Sequence, residues 1–250
     1  MTVCKPSNLQ LKLWKKLELA KYRRREGLFL AEGFKIVQEL LKSPGETKAL
    51  LIMEEKREHW EAFLSTIPEN TETYLLSARQ WSKLSQDKEP EGIMALAAIP
   101  RPTNIFRLSP PGAGYLLLLY QIRNPNNLGA MMRTAHWFGI KTVILSAGSV
   151  DFTNSRVVRS SMGSIFHLNI IPEVDFSEVL PRIKKHYTLI ISHVRRGIPP
   201  PIPVRRGRLF CLVLKLMACR NKSQIWPMNS GASPGWGMQN LSACRRQGQS

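Results

Sequence analysis

The sequence predicts an α/β protein built from two units, and three observations predict it. Short apolar runs alternate with stretches of helical periodicity from Leu28 to Ser192. A Pro- and Gly-rich stretch at 100–114, PRPTNIFRLSPPGAG, interrupts the alternation once and reads as a linker. Tyr115 to Tyr120, YLLLLY, is the unbroken apolar run of a strand buried on both faces of a parallel sheet. The chain has 250 residues, 43% hydrophobic and 22% charged, which allows one large domain or two small ones and excludes a mainly disordered chain.

The first unit opens with LQLKLWKKLELAKYRRRE at 9–26. Leu13, Leu17 and Ala20 recur at helical spacing among Lys12, Lys15, Lys16, Lys21 and Arg23 to Arg25. This basic amphipathic helix is either a solvated face or a surface that tracks a phosphate backbone, since Lys and Arg release counterions from phosphates. Leu28 to Leu30 reads as a short strand and Phe34 to Leu41 as a helix. Ala49 to Met53 is a strand and Glu54 to Phe63 a charged helix. Tyr74 to Leu76 is a strand, Ser77 to Leu84 a short helix capped by Ser77, and Gly92 to Ala98 another strand.

The second unit starts with the Tyr115 strand. Asn124-Pro125-Asn126-Asn127 reads as a turn carrying a helix N-cap. Leu128, Met131, Ala135 and Phe138 lie on one helix face, and Gly139 ends that helix. Thr142 to Leu145 is the next strand, and the three elements form a βαβ unit. A helix over Ser155 to Met162, a strand over Phe166 to Ile171, a helix over Phe176 to Ile183 and a buried strand over Tyr187 to Ser192 follow. There is no internal repeat.

The charge is uneven. The chain carries 36 Lys and Arg against 18 Asp and Glu, net +18, which suits a polyanionic partner. The last acid is Glu178. The 72 residues after it hold 13 of the basic groups, which leaves 23 basic against 18 acidic in residues 1–178. Most of the excess therefore sits in the tail. No apolar run is long enough for a membrane helix. The first residues lack the apolar core and cleavage site of a secretory signal, so a cytoplasmic setting is expected. Cys4, Cys211, Cys219 and Cys244 form no CxxC pair, and His136, His167, His186 and His193 are scattered without ligand partners, so no metal is expected.

The carboxyl end of the Tyr115 strand opens into IRNPNNLGAMMRTA, with no GxGxxG fingerprint. In open parallel sheets ligands bind at that edge. A helix N-terminus there offers free N–H groups, and Arg133 adds a permanent cation about one and a half turns in. Together with Asn127 this is an anion or ribose-phosphate site. The same residues also fit a plain role in which Asn127 caps the helix and Arg133 solvates it.

NPNNLGAMMRTAHWFGI, followed by SRVVRSSMGSIFHLNI, resembles the first conserved region of the SpoU (TrmH-type) RNA 2′-O-ribose methyltransferases of the SPOUT superfamily. RRREGLFLAEGFKIVQELL and KLSQDKEPEGIMALA resemble that family's substrate-binding domain, and the resemblance covers about residues 10–198. It implies an RNA substrate-binding α/β domain at 1–99, a linker at 100–114 and a SPOUT-type parallel-sheet domain at 115–198 with a deep trefoil knot. It implies S-adenosylmethionine as cofactor, ribosomal or transfer RNA as substrate and a homodimer. The family's catalytic Arg falls on Arg133 and its motif Asn on Asn127, which would hold the motif loop and contact substrate or the partner subunit. Arg23, Arg24, Arg25 and Arg159 are the further candidate RNA contacts.

The resemblance stops in the tail. The family needs an Asn/Ser-Glu-x-x-Gly-Leu loop after a Leu/Val-Leu-Gly strand, then an Ile-Pro element leading to Ser-Leu-Asn/Ser-Leu/Val. Neither is present at 199–250, where Phe210 to Leu216 alone could make a strand. The cofactor-binding residues are thus unassigned. The genetic code supplies an explanation. Reading the third base of each codon with the first two of the next, six positions are forced. Phe210–Cys211 gives Leu, Met217–Ala218 Gly, Trp226–Pro227 Ala, Met228–Asn229 Glu, Trp236–Gly237 Gly and Met238–Gln239 Ala. One allowed solution contains Leu-Gly-Ser-Glu-Ala-His-Gly-Leu, then Arg-Ile-Pro-Gly, then Glu-Ser-Leu-Ser-Leu-Pro, which are the two missing motifs in order. The tail is accordingly expected to be out of frame, with the change between His193 and Phe210. A chain so altered would bind S-adenosylmethionine poorly. The alternative is a non-catalytic RNA-binding protein with a genuine basic tail.

Overall fold

The computed structural model describes residues 3–68, 71–101, 115–185, 187–191 and 209–215. Most of the linker at 100–114, and residues 192–208 and 216–250, lie outside these described residues, and the expected knot falls on the last two stretches. Two five-stranded sheets form the frame, and the predicted α/β class is what the structure shows.

In the first half, strand β1 (Val3–Cys4), unforeseen in the sequence, pairs parallel to β4 (Thr73–Leu76). Ser7 caps helix α1 (Asn8–Lys16) in a capping box with Gln10. The single helix expected over 9–26 is two. Leu17 to Leu19 break it, and α2 (Ala20–Glu26) starts anew. The break lets Trp14 and Leu17 both bury against Leu51, Leu76, Trp81 and Met94. Gly27, at φ +66°, closes α2 in the left-handed region that glycine adopts at least cost. Strand β2 (Leu28–Glu32), helix α3 (Phe34–Lys42), strand β3 (Thr47–Met53), helix α4 (Arg57–Leu64), helix α5 (Ala78–Trp81) and strand β5 (Ile93–Ala98) complete this half. The sheet order is β1-β4-β3-β5-β2, with β5 antiparallel to both its neighbours.

The second sheet is parallel throughout: β6 (Leu116–Tyr120), β7 (Thr142–Ser146), β8 (Asn169–Val174), β9 (Tyr187–Ile191) and β10 (Leu209–Lys215) lie in the order β8-β7-β6-β10-β9. The strand expected at Phe166 begins only at Asn169, because Ser164–His167 is a 3-10 turn that buries Ile165 and Phe166. Helices α6 (Pro125–Trp137), α7 (Ser155–Ser161) and α8 (Phe176–Ile183) cover the sheet. β10 is not added at an edge. It is inserted between β6 and β9, with Cys211 in register with both Leu116 and Leu189.

The two halves share one core. Phe29, Ile36, Val37 and Leu40 from the first belong to the same buried cluster as Leu117, Met132, Val157 and Phe166 from the second. The rings of Phe29 and Phe166 stack across the junction at 6.1 Å.

Candidate functional site

The site lies where the parallel sheet changes direction. From β6 the chain runs outward through β7 and β8, then returns on the other side of β6 as β9 and β10. Ligands of open α/β sheets bind beyond the carboxyl ends of the strands at such a switch point. There Gln121 leaves β6 at φ +49°, a conformation that costs a non-glycine residue energy and persists because neighbours hold it. Its N–H donates to the buried Ser146 Oγ at the end of β7, 2.8 Å away. Val150 N–H donates to the Ile122 carbonyl at 2.8 Å, so the loops after β6 and β7 are tied together.

Asn124, not Asn127, caps α6. Its side chain accepts from the N–H groups of Asn126 at 2.9 Å and Asn127 at 3.1 Å, and Pro125 occupies the first turn. The capping role considered for Asn127 is therefore taken. Its own side chain is half-buried and makes no hydrogen bond among the described residues. Leu128, Met131, Met132 and Ala135 turn inward, which puts Arg133 on the outside. Arg133 is exposed and has neither an ion pair nor a hydrogen bond among the described residues. Gly129 lets α6 lie against α7: a Cβ there would overlap Ser160 Oγ and stand 2.6 Å from the Val157 carbonyl oxygen.

The other sequence-predicted contacts are dispersed. Arg23 is buried, not presented to a ligand. Its guanidinium donates to Thr153 Oγ1 at 2.9 Å, to the carbonyls of Leu17 and Glu18 at 2.9 and 2.7 Å, and to Asp151 Oδ2 at 2.7 Å. The amphipathic period turns Arg23 toward the second half, so the expectation that it contacts RNA is corrected: it clamps α2 onto the loop after β7. Arg24 pairs with Glu173 at 3.1 Å, and both are exposed. Arg25 pairs with Glu26 and leans over Tyr22. Arg159 reaches back to the first half, with Nη2 3.2 Å from both Glu32 Oε2 and Asp87 Oδ2. Burial pushes the Glu32 carboxyl up, against the lowering effect of Ser85 and Arg159.

A stacked histidine pair also bridges the halves. His136 and His167 lie 4.6 Å apart at 11°, with His136 Nδ1 3.2 Å from Ser164 Oγ and His167 Nε2 3.0 Å from Glu39 Oε2. Burial, with the neighbouring His167 and Lys141, holds His136 below its usual value. At Asp151 burial raises the carboxyl, but hydrogen bonds from Thr153 and the Arg23 guanidinium outweigh it and hold the group low. At Glu39 burial is likewise outweighed, by Lys35 and His167. For all three the folded state binds protons less readily than the unfolded chain. Their contribution is present at neutral pH and is lost as pH falls, through the histidine range and then through the depressed carboxylate values. Glu32 works in the opposite sense, since its raised carboxyl favours the folded state at low pH. Asp175, held low by Ser177, acts in the same sense as the three, so four groups oppose one. Because the depressed carboxylates lose their contribution only below the ordinary carboxylate range, the melting temperature should fall as pH drops from about 7 to about 2. A melting temperature flat or rising over that range would contradict it.

Neither cavity between the halves is lined by Asn127 or Arg133. One is small, about 50 Å³ beside Glu32 and Arg159, and the other is an open cleft of about 1090 Å³ beside Arg24 and Asp151. Arg133 is exposed and Asn127 half-buried. Nothing in the sequence marked the Arg23–Asp151 and Arg159–Glu32 pairs, whose partners are more than a hundred residues apart.

A parallel sheet with β10 inserted beside β6 puts a switch point at the carboxyl ends of these strands, where open α/β enzymes bind their ligands. Comparison with known proteins identifies the two domains. Residues 114–210 match the SpoU rRNA methylase family, and residues 8–95 match the MRM3-like substrate-binding domain. The chain thus carries a SpoU methylase domain behind an MRM3-like substrate-binding domain, the arrangement of SpoU-type RNA methyltransferases. It is 35% identical over 168 residues to the 23S rRNA (guanosine(2553)-2′-O)-methyltransferase RlmP of Bacillus subtilis, covering 66% of this chain and 62% of that protein. It is 26% identical over 171 residues to human mitochondrial rRNA methyltransferase 3, covering 63% of this chain and 38% of that protein. The chain thus spans less than two thirds of the length of either relative. Among solved structures, a putative RNA methyltransferase of the TrmH family from Porphyromonas gingivalis superposes with a TM-score of 0.71 at 25% identity, covering 93% of this chain and 90% of that one.

Proposed function

We propose that this protein is an S-adenosylmethionine-dependent RNA 2′-O-ribose methyltransferase by construction, with ribosomal RNA as the favoured substrate, and that the chain as written lacks half of its cofactor pocket. The observation that carries the reading is Arg133, exposed and without a partner among the described residues, on the helix that leaves the switch point. A ribose 2′-hydroxyl is a poor nucleophile at neutral pH. A fixed guanidinium beside it stabilises the alkoxide that develops as its proton leaves. Asn127, freed from capping by Asn124, is placed six residues earlier on the same helix to hold substrate or a partner subunit. The 2′-hydroxyl requirement selects RNA over DNA. The relatives' names support the substrate, since those of Bacillus and human are rRNA methyltransferases. Residues 1–99 are then the RNA-binding part.

S-adenosylmethionine belongs between the carboxyl ends of β6 and β10. The β6 side offers Gln121 to Asn127. The other side is owed to the end of β10 and the sequence after it, and here the sequence from Val213, VLKLMACRNK, has neither a carboxylate for ribose hydroxyls nor a glycine for a tight loop. The residues present do not fit the whole cofactor. A single missing base accounts for this. The family match runs to residue 210, and β10 pairs in register with β9 to Val213 and with β6 to Lys215. Both favour a change of frame later than the interval ending at Phe210, and the boundary of codons 212 and 213 is the one that sets Gly-Ser-Glu directly after a leucine of that strand. One G restored there follows Leu212 with Gly-Ser-Glu-Ala-His-Gly-Leu. The tail at 199–250 is then in frame to Leu212 and out of frame beyond it.

The exposed Arg133, with Trp137 86% and Phe138 72% exposed at the end of the same helix, supports a homodimer that covers this face. Sedimentation equilibrium at twice the chain mass is the expected result. A bacterial cytosol suits an rRNA substrate. No helix among the described residues is long and apolar enough to cross a membrane, and no group of three metal-binding side chains gathers among them. The reaction is tested with the frame-restored chain, S-adenosylmethionine and ribosomal RNA. Digestion and mass spectrometry should find 2′-O-methylnucleosides. Methyl groups on bases alone would overturn the reading. RNA binding without transfer would favour the non-catalytic alternative, which the acid-free tail supports.

A further inference from the structure

The three consecutive arginines of α2 go three ways. Arg23 is buried and Arg24 pairs with Glu173. Arg25 places its guanidinium carbon 4.8 Å from the centre of the Tyr22 ring. Two more cations converge on the same ring: Lys21 Nζ at 5.2 Å and, from the end of α1, Lys16 Nζ at 5.5 Å. The break at Leu17 to Leu19 makes this possible, because a continuous helix would carry Lys16 away along its own axis. Tyr22 itself is half-buried, so its ring is braced and still reachable.

Like charges gathered around one ring repel each other. The attraction of each cation to the ring face offsets only part of that, about 0.5–1 kcal/mol per exposed contact. Glu26 answers Arg25, but among the described residues Lys16 and Lys21 have no carboxylate partner. Lys12 and Lys15 are exposed on α1 as well. An aromatic ring with three cations over it, two of them without a carboxylate among the described residues, matches an unpaired nucleotide: the base displaces a cation from the ring and stacks, and its flanking phosphates take the charges.

We infer that Tyr22, with Lys16, Lys21 and Arg25, is a stacking site for an unpaired nucleotide of single-stranded RNA. The inference rests on the reading of this protein as one that acts on RNA, and it supplies the class of RNA: a loop, bulge or end rather than a duplex. A duplex has no free base to offer the ring.

The test is equilibrium binding of fluorescently labelled single-stranded and duplex RNA of equal length to the full chain, read by anisotropy across a salt series. Base-on-aromatic stacking is worth about 1–3 kcal/mol, so Tyr22→Ala should weaken single-strand binding about 5- to 150-fold. Tyr22→Phe should keep the affinity, and duplex binding should be indifferent to either change. The double variant Lys16→Gln/Lys21→Gln should flatten the salt dependence by about 1.4 in log–log slope, since each phosphate contact contributes about 0.7. Unchanged melting of each variant separates lost contact from lost fold. If Tyr22→Ala binds single strands as wild type does, or Tyr22→Phe fails as badly as Tyr22→Ala, the site is not a stacking platform. Because the readout is binding, it is independent of methyl transfer: a frame-restored chain that stays catalytically silent but keeps Tyr22-dependent binding would sink the enzymatic reading and leave this site standing.

Discussion

Arg133→Ala should lower the methyl-transfer rate of the frame-restored chain about 10²- to 10³-fold, with RNA affinity changed much less. The guanidinium has no partner among the described residues, so its removal breaks no ion pair there and leaves the buried face of α6 intact. What it removes is a cation beside the hydroxyl as that hydroxyl becomes an alkoxide. Loss of one such preorganised donor costs about 2.7–4 kcal/mol in the transition state. The loss should appear in kcat rather than KM, because the charge exists only in the transition state. Arg133→Lys should recover a part of the rate, since it keeps the charge and loses the planar fork. The measurement is single-turnover transfer of labelled methyl groups at saturating RNA. A variant with full rate and raised KM would reassign Arg133 to phosphate binding.

The second large effect concerns the tail. Restoring one G at the boundary of codons 212 and 213 should tighten S-adenosylmethionine binding about 100-fold or more, a difference of ~2.8 kcal/mol. The restored sequence places Gly-Ser-Glu directly after Leu212, so a carboxylate and a glycine reach the edge beside β6. Isothermal titration of the two chains makes the comparison, and resequencing of the coding DNA across codons 193–250 shows which one the cell makes. Equal affinities would mean that the pocket does not depend on the loop after β10.

Much of the second sheet could be read from residues. YLLLLY and the runs at Thr142 and Tyr187 are apolar without alternation, as buried parallel strands must be, and β6, β7 and β9 lie there. The position of Asn127 and Arg133 on α6 followed from the spacing of its apolar residues. Other features are invisible to periodicity. The break at Leu17 to Leu19 preserves the apolar period, so 9–26 read as one helix. Ile165 and Phe166 are apolar because a 3-10 turn buries them, which shifted the start of β8. Asn124, Asn126 and Asn127 have equal capping ability, and only geometry tells them apart. The inward turn of Arg23 depends on Asp151 and Thr153, which local sequence does not connect to it. The run at Phe210 was visible as a possible strand, but its insertion between β6 and β9 is a property of the whole sheet.

The most direct measurement gives the written and the frame-restored chains the same labelled S-adenosylmethionine and the same ribosomal RNA, and counts 2′-O-methylated nucleosides. Transfer by the restored chain, its loss on Arg133→Ala and no transfer by the written chain are the expected results. Equal transfer by both chains would contradict the incomplete pocket, and transfer by neither would contradict the assignment of a methyltransferase.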